Sequence, residues 1–341
     1  MQNNSNGKLL PITYLKVNYK TLNMNQLSEF GLGDMLQTKG SIQCIGVVGC
    51  GSVGQEITLL IAKAGIEVVF VDISEDRIKE IVSDLGNQLD DEIAHWSLTS
   101  SEKRLVLSRI KGTVAFEDLK DCDIVIEAIS SRQRGTMLDV RQELFKDIEA
   151  VVREDAIISS QVSTLMISEL SSSLNKPERA IGLHFLDPIG KTQIVEVSKG
   201  IKTSNETFQK VSRFCGMLKK KVVSINESPG NISTRMIIPF INDACELLTE
   251  GVASIEDIDN TMKEASGHHI GPFELADRAG LDKVLKFMDN LYAEFGEQKY
   301  KASPIIKRLV RDGYLGRRTG KGFYRYEDGK AIGNTIEFVI N

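Results

Sequence analysis

The stretch Ile45-Gly46-Val47-Val48-Gly49-Cys50-Gly51-Ser52-Val53-Gly54 joins a short apolar run to three glycines spaced G-x-G-x-x-G, and a helical pattern over 55–64 follows at once. Strand, glycine turn and helix in that order make a phosphate cradle. The first glycine permits the tight turn, the second lets a pyrophosphate approach the backbone, and the third lets the helix pack closely on its strand. Free N–H groups and the helix dipole then favour the anion. Asp72 ends the next apolar run, Val68-Val69-Phe70-Val71, at the spacing expected of a ribose ligand. A carboxylate there accepts from a ribose 2′-OH and repels a phosphate in its place, so the pattern predicts NAD rather than NADP. Arg77 is the nearby cation that would serve a 2′-phosphate, and at a helix position it also reads as a solvated surface charge.

Outward from this cradle, β-branched runs at 45–48, 68–71, 124–126, 157–159 and 181–183 alternate with amphipathic stretches. That alternation predicts parallel βαβ units. Residues 76–107 read as a long charged helical excursion, and 222–225 as the last strand. Ser228-Pro229-Gly230 then punctuates the chain, and 236–251 is apolar-periodic without strand signals. The expected fold class is α/β: a Rossmann-type NAD-binding domain at 42–227 followed by an all-helical C-terminal domain at 228–330. Residues 1–41 read as an N-terminal extension and 331–341 as a tail.

A chain of 341 residues with a net charge of −5 and both signs mixed throughout has no basic stripe for a phosphate backbone, so no nucleic-acid partner is expected. No segment approaches the roughly 20 apolar residues of a spanning helix, and the start Met1-Gln2-Asn3-Asn4-Ser5-Asn6 lacks a signal peptide's apolar core. No membrane association is expected. Cys44, Cys50, Cys122, Cys215 and Cys245 are odd in number without a close CxxC pair, which reads as reduced thiols in a cytoplasmic protein.

His184, one of four histidines, lies in Gly182-Leu183-His184-Phe185-Leu186-Asp187-Pro188, ahead of a second apolar run holding Val195-Glu196-Val197. Imidazole moves protons near neutral pH, and a carboxylate on the next strand would fix its tautomer and support its charge. Taken alone, the same residue also reads as a hydrogen-bonded core histidine. His268-His269 has no Cys or carboxylate set to complete a coordination shell, so no metal is expected.

These motifs fall into a familiar order. The glycine fingerprint with Asp72, then Asp123-Ile124-Val125-Ile126-Glu127-Ala128, Gly182-Leu183-His184-Phe185, Ile194-Val195-Glu196-Val197 and Ser228-Pro229-Gly230, resemble the 3-hydroxyacyl-CoA dehydrogenase family. So do Gly271-Pro272-Phe273-Glu274-Leu275-Ala276-Asp277 and Gly316-Arg317-Arg318-Thr319-Gly320-Lys321-Gly322-Phe323-Tyr324 in the second domain. The likeness runs in one register from about residue 42 to 326.

The resemblance implies NAD-dependent oxidation of a 3-hydroxyacyl thioester to the 3-oxoacyl thioester, or the reverse, in a homodimer formed through the helical domain. It implies His184 as catalytic base, Glu196 as its carboxylate, Ser163 as hydrogen-bond partner of the reacting oxygen, and Thr234 at a substrate-orienting position. Cofactor contacts are implied for Gly49, Gly51, Ser52, Val53, Gly54, Asp72, Ile73, Arg77, Glu127, Ala128 and Ile129. Departures from the family pattern are Thr234 and Gln161 in place of Asn, Asp187 in place of Asn beside the histidine motif, and His269 in place of Pro. Where relatives that use coenzyme A often carry basic residues, this chain reads Leu89-Asp90-Asp91-Glu92-Ile93-Ala94-His95-Trp96. That run reads as a solvated helix face. It also leaves open a short polar acyl group delivered on an acyl carrier protein. A catalytically inactive NAD-binding homologue is the remaining alternative.

Overall fold

The computed structural model describes residues 42–130 and 135–335; the stretch read as an N-terminal extension lies outside the described residues. Eight strands form one sheet: β1 (Cys44–Val48), β2 (Glu67–Val71), β3 (Ile110–Thr113), β4 (Ile124–Glu127), β5 (Ile157–Ser160), β6 (Ala180–Phe185), β7 (Ile194–Lys199) and β8 (Lys221–Asn226). Their order is β3-β2-β1-β4-β5-β6-β7-β8. Chain order runs one way from β1 to β3 and the other way from β4, so the crevice at the carboxyl ends of β1 and β4 is the switch point of the sheet. The central strands are β-branched, and every residue of β4 and β5 is buried, as expected for strands covered on both faces.

Helices α1 (Ser52–Lys63), α2 (Glu75–Ala94), α3 (Ser100–Leu107), α4 (Leu138–Val151), α5 (Ile167–Ser171) and α6 (Asn205–Met217) connect the strands. The helix α1 buries Ile57, Leu59, Ile61 and Ala62 against the sheet. The charged excursion expected at 76–107 is two helices, α2 and α3, and Thr99 starts the second with a capping box closed by Glu102. Two features depart from the expected pattern. The edge strand β3, Ile110-Lys111-Gly112-Thr113, carries too little apolar character to be read from sequence. The pair β6–β7 is antiparallel, which sets His184 directly opposite Glu196.

The second domain consists of α7 (Ser233–Thr249), α8 (Ile255–Ser266), α9 (Pro272–Ala279), α10 (Leu281–Phe295) and α11 (Pro304–Arg311) around a core that includes Ile241, Phe273, Met288 and Phe323. The expectation of an all-helical domain needs one correction. Strands β9 (Tyr324–Glu327) and β10 (Lys330–Asn334) form an antiparallel hairpin, so Ala331, Gly333 and Asn334, read as tail, are paired. Tyr324 and Tyr326 are buried while Arg325 and Glu327 are exposed, and Asp328-Gly329 turns the chain with both φ values positive, at 48° and 74°. Alternation followed by Asp-Gly is a hairpin signal, here in a segment too short to stand out beside helices.

Candidate active site

The glycine loop divides its labour as its spacing predicts. Gly49 has φ +89°, and a Cβ there would sit 2.8 Å from the Ile129 backbone. At Gly54 a Cβ would meet the Gly49 carbonyl oxygen at 2.2 Å, so the start of α1 packs directly on the turn. Gly51 differs: the nearest atom to an added Cβ is the Ser130 hydroxyl at 3.4 Å, leaving room for a ligand to approach the backbone. Gly51 is also the N-cap of α1 and has no side chain to occupy the N–H groups of Ser52, Val53 and Gly54.

Asp72 Oδ2 accepts the Cys50 N–H at 2.8 Å and Oδ1 accepts the Ile73 N–H at 2.8 Å. The residue expected to bind ribose thus also ties the glycine loop to the end of β2. Ile73 is 91 % exposed beside it. The Arg77 guanidinium is engaged by Glu80 at 2.9 Å, as a surface helix charge would be. The open cradle at Gly51, the uncapped helix start and the carboxylate at the tip of β2 fit a dinucleotide.

Glu127, Ala128 and Ile129 follow β4 on the other side of the crevice. The Glu127 carboxylate is fully buried and faces inward, paired with Arg141 and accepting from the Ser160 hydroxyl and from the Ile129 N–H. Its side chain fixes the Ala128–Ile129 backbone through the Ile129 N–H.

His184 is the fifth residue of β6, and Glu196 the third of β7. The register places them as partners, and His184 Nδ1 lies 2.9 Å from Glu196 Oε2. With Nδ1–H donated to the carboxylate, Nε2 is the ring nitrogen left to exchange a proton. Glu196 is 2 % exposed. Burial pushes its pKa up, but hydrogen bonds from His184 and Ser233 outweigh that and hold the carboxyl below its ordinary value of 4.5. Sequence reasoning missed Ser233, whose N–H reaches Oε1 at 2.8 Å and whose hydroxyl reaches Oε2 at 3.0 Å.

Ser163 follows β5 and is buried, with its hydroxyl 3.0 Å from that of Thr234 in the first turn of α7. Its carbonyl oxygen accepts the Gly230 N–H at 2.7 Å, fixing the loop that leads into α7. Because β1, β4, β5 and β6 run parallel, their carboxyl ends share one edge of the sheet, and the antiparallel β7 begins there. The glycine loop, Ala128–Ile129, Ser163, His184 and Glu196 all sit on that edge.

Of the remaining departures, Gln161 has a structural role. Gln161 donates to the Phe185 carbonyl and accepts the Phe185 N–H, both at 2.8 Å, prolonging the β5–β6 contact beyond the last paired residues with a side-chain amide. Asp187 is exposed, and its charge acts on Glu56, whose pKa is raised by burial first and by Asp187 second. His268 stacks near Phe240 at 5.1 Å between ring centroids. Among the described residues no group of three His, Cys, Asp or Glu side chains is placed to hold a metal ion. In the acidic run, Glu92 pairs with Lys63, and Asp90 with Lys103 at 2.6 Å.

Residues 44–228 match the family model described as 3-hydroxyacyl-CoA dehydrogenase, NAD binding domain, and residues 230–326 match that described as 3-hydroxyacyl-CoA dehydrogenase, C-terminal domain. The chain is 36 % identical over 291 residues to the 3-hydroxybutyryl-CoA dehydrogenase of Bradyrhizobium diazoefficiens, covering 85 % of this chain and 98 % of the relative. It is 36 % identical over 282 residues to that of Clostridioides difficile, covering 83 % and 99 %. The crystal structure of (S)-3-hydroxybutyryl-CoA dehydrogenase from Ralstonia eutropha is similar with a TM-score of 0.76 and 38 % identity, over 84 % of this chain and 100 % of that one.

Proposed function

Because the chain belongs to the 3-hydroxyacyl-CoA dehydrogenase family, we propose that it oxidises a 3-hydroxyacyl-CoA to the 3-oxoacyl-CoA with NAD, or runs the reverse reduction, using His184 as the general base. The observation that carries this reading is the commitment of His184 Nδ1 to Glu196, which directs Nε2 to the substrate on the edge that also holds Ser163 and the glycine cradle.

Bound NAD supplies the hydride acceptor. His184 Nε2 takes the proton of the 3-hydroxyl as the carbon-bound hydrogen leaves, and Glu196 balances the charge that forms on the imidazole. Ser163 donates to the oxygen as it gains negative character, while Thr234 donates its own proton to Ser163 and so fixes that hydroxyl's rotamer. In the reverse direction the same imidazolium returns the proton to the oxygen.

Coenzyme A is the handle that the named relatives support. The acidic run offers little for an acyl carrier protein, since two of its carboxylates are spent on Lys63 and Lys103. An inactive homologue is disfavoured by the hydrogen-bonded His184–Glu196 pair and the buried Ser163–Thr234 pair. The domain roles follow: 42–227 for NAD, and 228–330 for substrate and for self-association. Exposed Met236, Ile237 and Leu247 on α7 support a homodimer. Five unbridged thiols support a reducing, cytoplasmic setting; no helix among the described residues is long and apolar enough to cross a membrane.

NADH formation from 3-hydroxybutyryl-CoA and longer homologues, beside the matching carrier-protein thioesters, tests the reading. Turnover of the coenzyme A forms that falls by about 100-fold or more in His184→Asn is expected. NAD binding without any His184-dependent turnover would overturn it.

A further inference from the structure

Glu196 is gripped from two domains at once. From β6 it receives the Nδ1–H of His184, and from the first residue of α7 it receives both donors of Ser233, the N–H on Oε1 and the hydroxyl on Oε2. A carboxylate at the end of a Glu side chain has three torsions to settle. The fork of donors from one residue fixes the plane of the group, and the imidazole then meets it at a defined oxygen. We propose that Ser233 is a positioning residue for this reaction, locking Glu196 from the helical domain and sharing with His184 the oxygen that supports the imidazolium. The proposal rests on the reading of His184 as the base.

Three observations carry it beyond simple helix capping. The N-cap of α7 is Ile232, and Ser233 makes no capping bond within its own helix. Its hydroxyl is directed across the domain boundary at Oε2, the same atom that His184 uses. The next residue, Thr234, reaches Ser163 from the same turn, so the placement of one helical turn sets both the carboxylate behind the base and the hydroxyl that binds the reacting oxygen. The closed arrangement of the two domains is thereby a condition for a complete site.

The charge consequence has a definite sign. The hydroxyl draws part of the negative charge of Oε2, so its removal leaves more of that charge to face the imidazole. The groups that face Glu196 are few: His184 from β6, Ser233 from α7, and Val223 as its register partner on β8. The influences on its carboxyl are burial first, then His184 and Ser233.

Ser233→Thr keeps the hydroxyl and Ser233→Val is its near isostere without one, so a defect of shape common to both cancels in the comparison. The Val enzyme is expected to lose kcat by about 10-fold relative to the Thr enzyme, with KM for NAD and for the acyl-CoA within about twofold. The acidic limb of its kcat/KM profile for oxidation moves to higher pH, whereas the Thr enzyme keeps that of the parent. Ser233→Ala gives the same comparison against the parent protein. Equal kcat and superimposable pH profiles for the Thr and Val enzymes overturn the proposal. Failure of the underlying reading looks different, since the parent enzyme itself then shows no His184-dependent turnover.

Discussion

The hydroxyl oxygens of Ser163 and Thr234 lie 3.0 Å apart in a buried contact between the loop after β5 and the first turn of α7. One of the two protons joins the pair, which leaves the other for the reacting oxygen. On the proposed mechanism a proton donated by Thr234 leaves that of Ser163 for the substrate oxygen. Thr234→Val keeps the volume and removes the bond, so kcat is expected to fall about 10-fold while the dissociation constant for NAD stays unchanged. Rapid-quench turnover and an NAD fluorescence titration measure the two quantities. A Val enzyme with parental kcat would remove Thr234 from the substrate site.

Asp72 has two tasks, holding the Cys50 N–H and presenting a carboxylate where a ribose is expected. Asp72→Ala loses both, leaving a loop N–H without its acceptor. NAD affinity is expected to drop by roughly 10- to 100-fold, the range of one or two charge-assisted hydrogen bonds, and the preference over NADP to narrow because the repelling charge has gone. Calorimetric titration with each nucleotide reads this directly. Unchanged selectivity would mean that another group rejects the 2′-phosphate.

How far the site was legible depends on whether its geometry is local. The glycine cradle is written in consecutive residues, and its third glycine answers to a neighbour within the same turn, as the 2.2 Å approach to the Gly49 carbonyl illustrates. His184 and Glu196 lie 12 residues apart, and two apolar runs with one polar residue each suffice to suggest facing strands. Ser233 leaves no such trace, because its contact is made 37 residues from Glu196 across a domain boundary. Gln161 is also silent in sequence, being a side chain that stands in for a strand. The Asp328-Gly329 hairpin was readable in principle, but the helical patterns around it dominated.

Glu127, expected at the cofactor, turns its carboxylate into the protein interior. Its side chain is buried against Arg141, itself only 7 % exposed, and Arg141 also donates to the Ile129 carbonyl at 2.9 Å. Glu127→Ala leaves that guanidinium buried and uncompensated, which is expected to cost about 3–5 kcal/mol of stability. Chemical denaturation of the apoprotein measures it. A loss under 1 kcal/mol, with NAD affinity sharply reduced, would instead return the carboxylate to the cofactor.

Asp277 makes the helical domain's stability depend on pH in an unusual sense. Its carboxylate is 1 % exposed and accepts from the N–H groups of Phe323 and Tyr324 and from the Tyr326 hydroxyl at 2.8–3.0 Å. Burial nevertheless dominates, with Asp259 adding repulsion, and pushes the pKa from 3.8 up to about 6. A carboxyl with a raised folded value favours the native state most when protonated. Its contribution is present in full below about 4 and is lost as pH rises through 6, a span worth about 3 kcal/mol at most. Glu196, with its lowered value, acts in the other sense, and its contribution is lost only as pH falls below 4.5. Between pH 5 and pH 7, then, the urea midpoint of the parent protein should decline relative to that of Asp277→Asn. The Asn variant is less stable throughout, because its NH₂ faces donors, so the difference in slope rather than in level carries the result. Parallel slopes would mean that the three hydrogen bonds outweigh burial and keep Asp277 ionised.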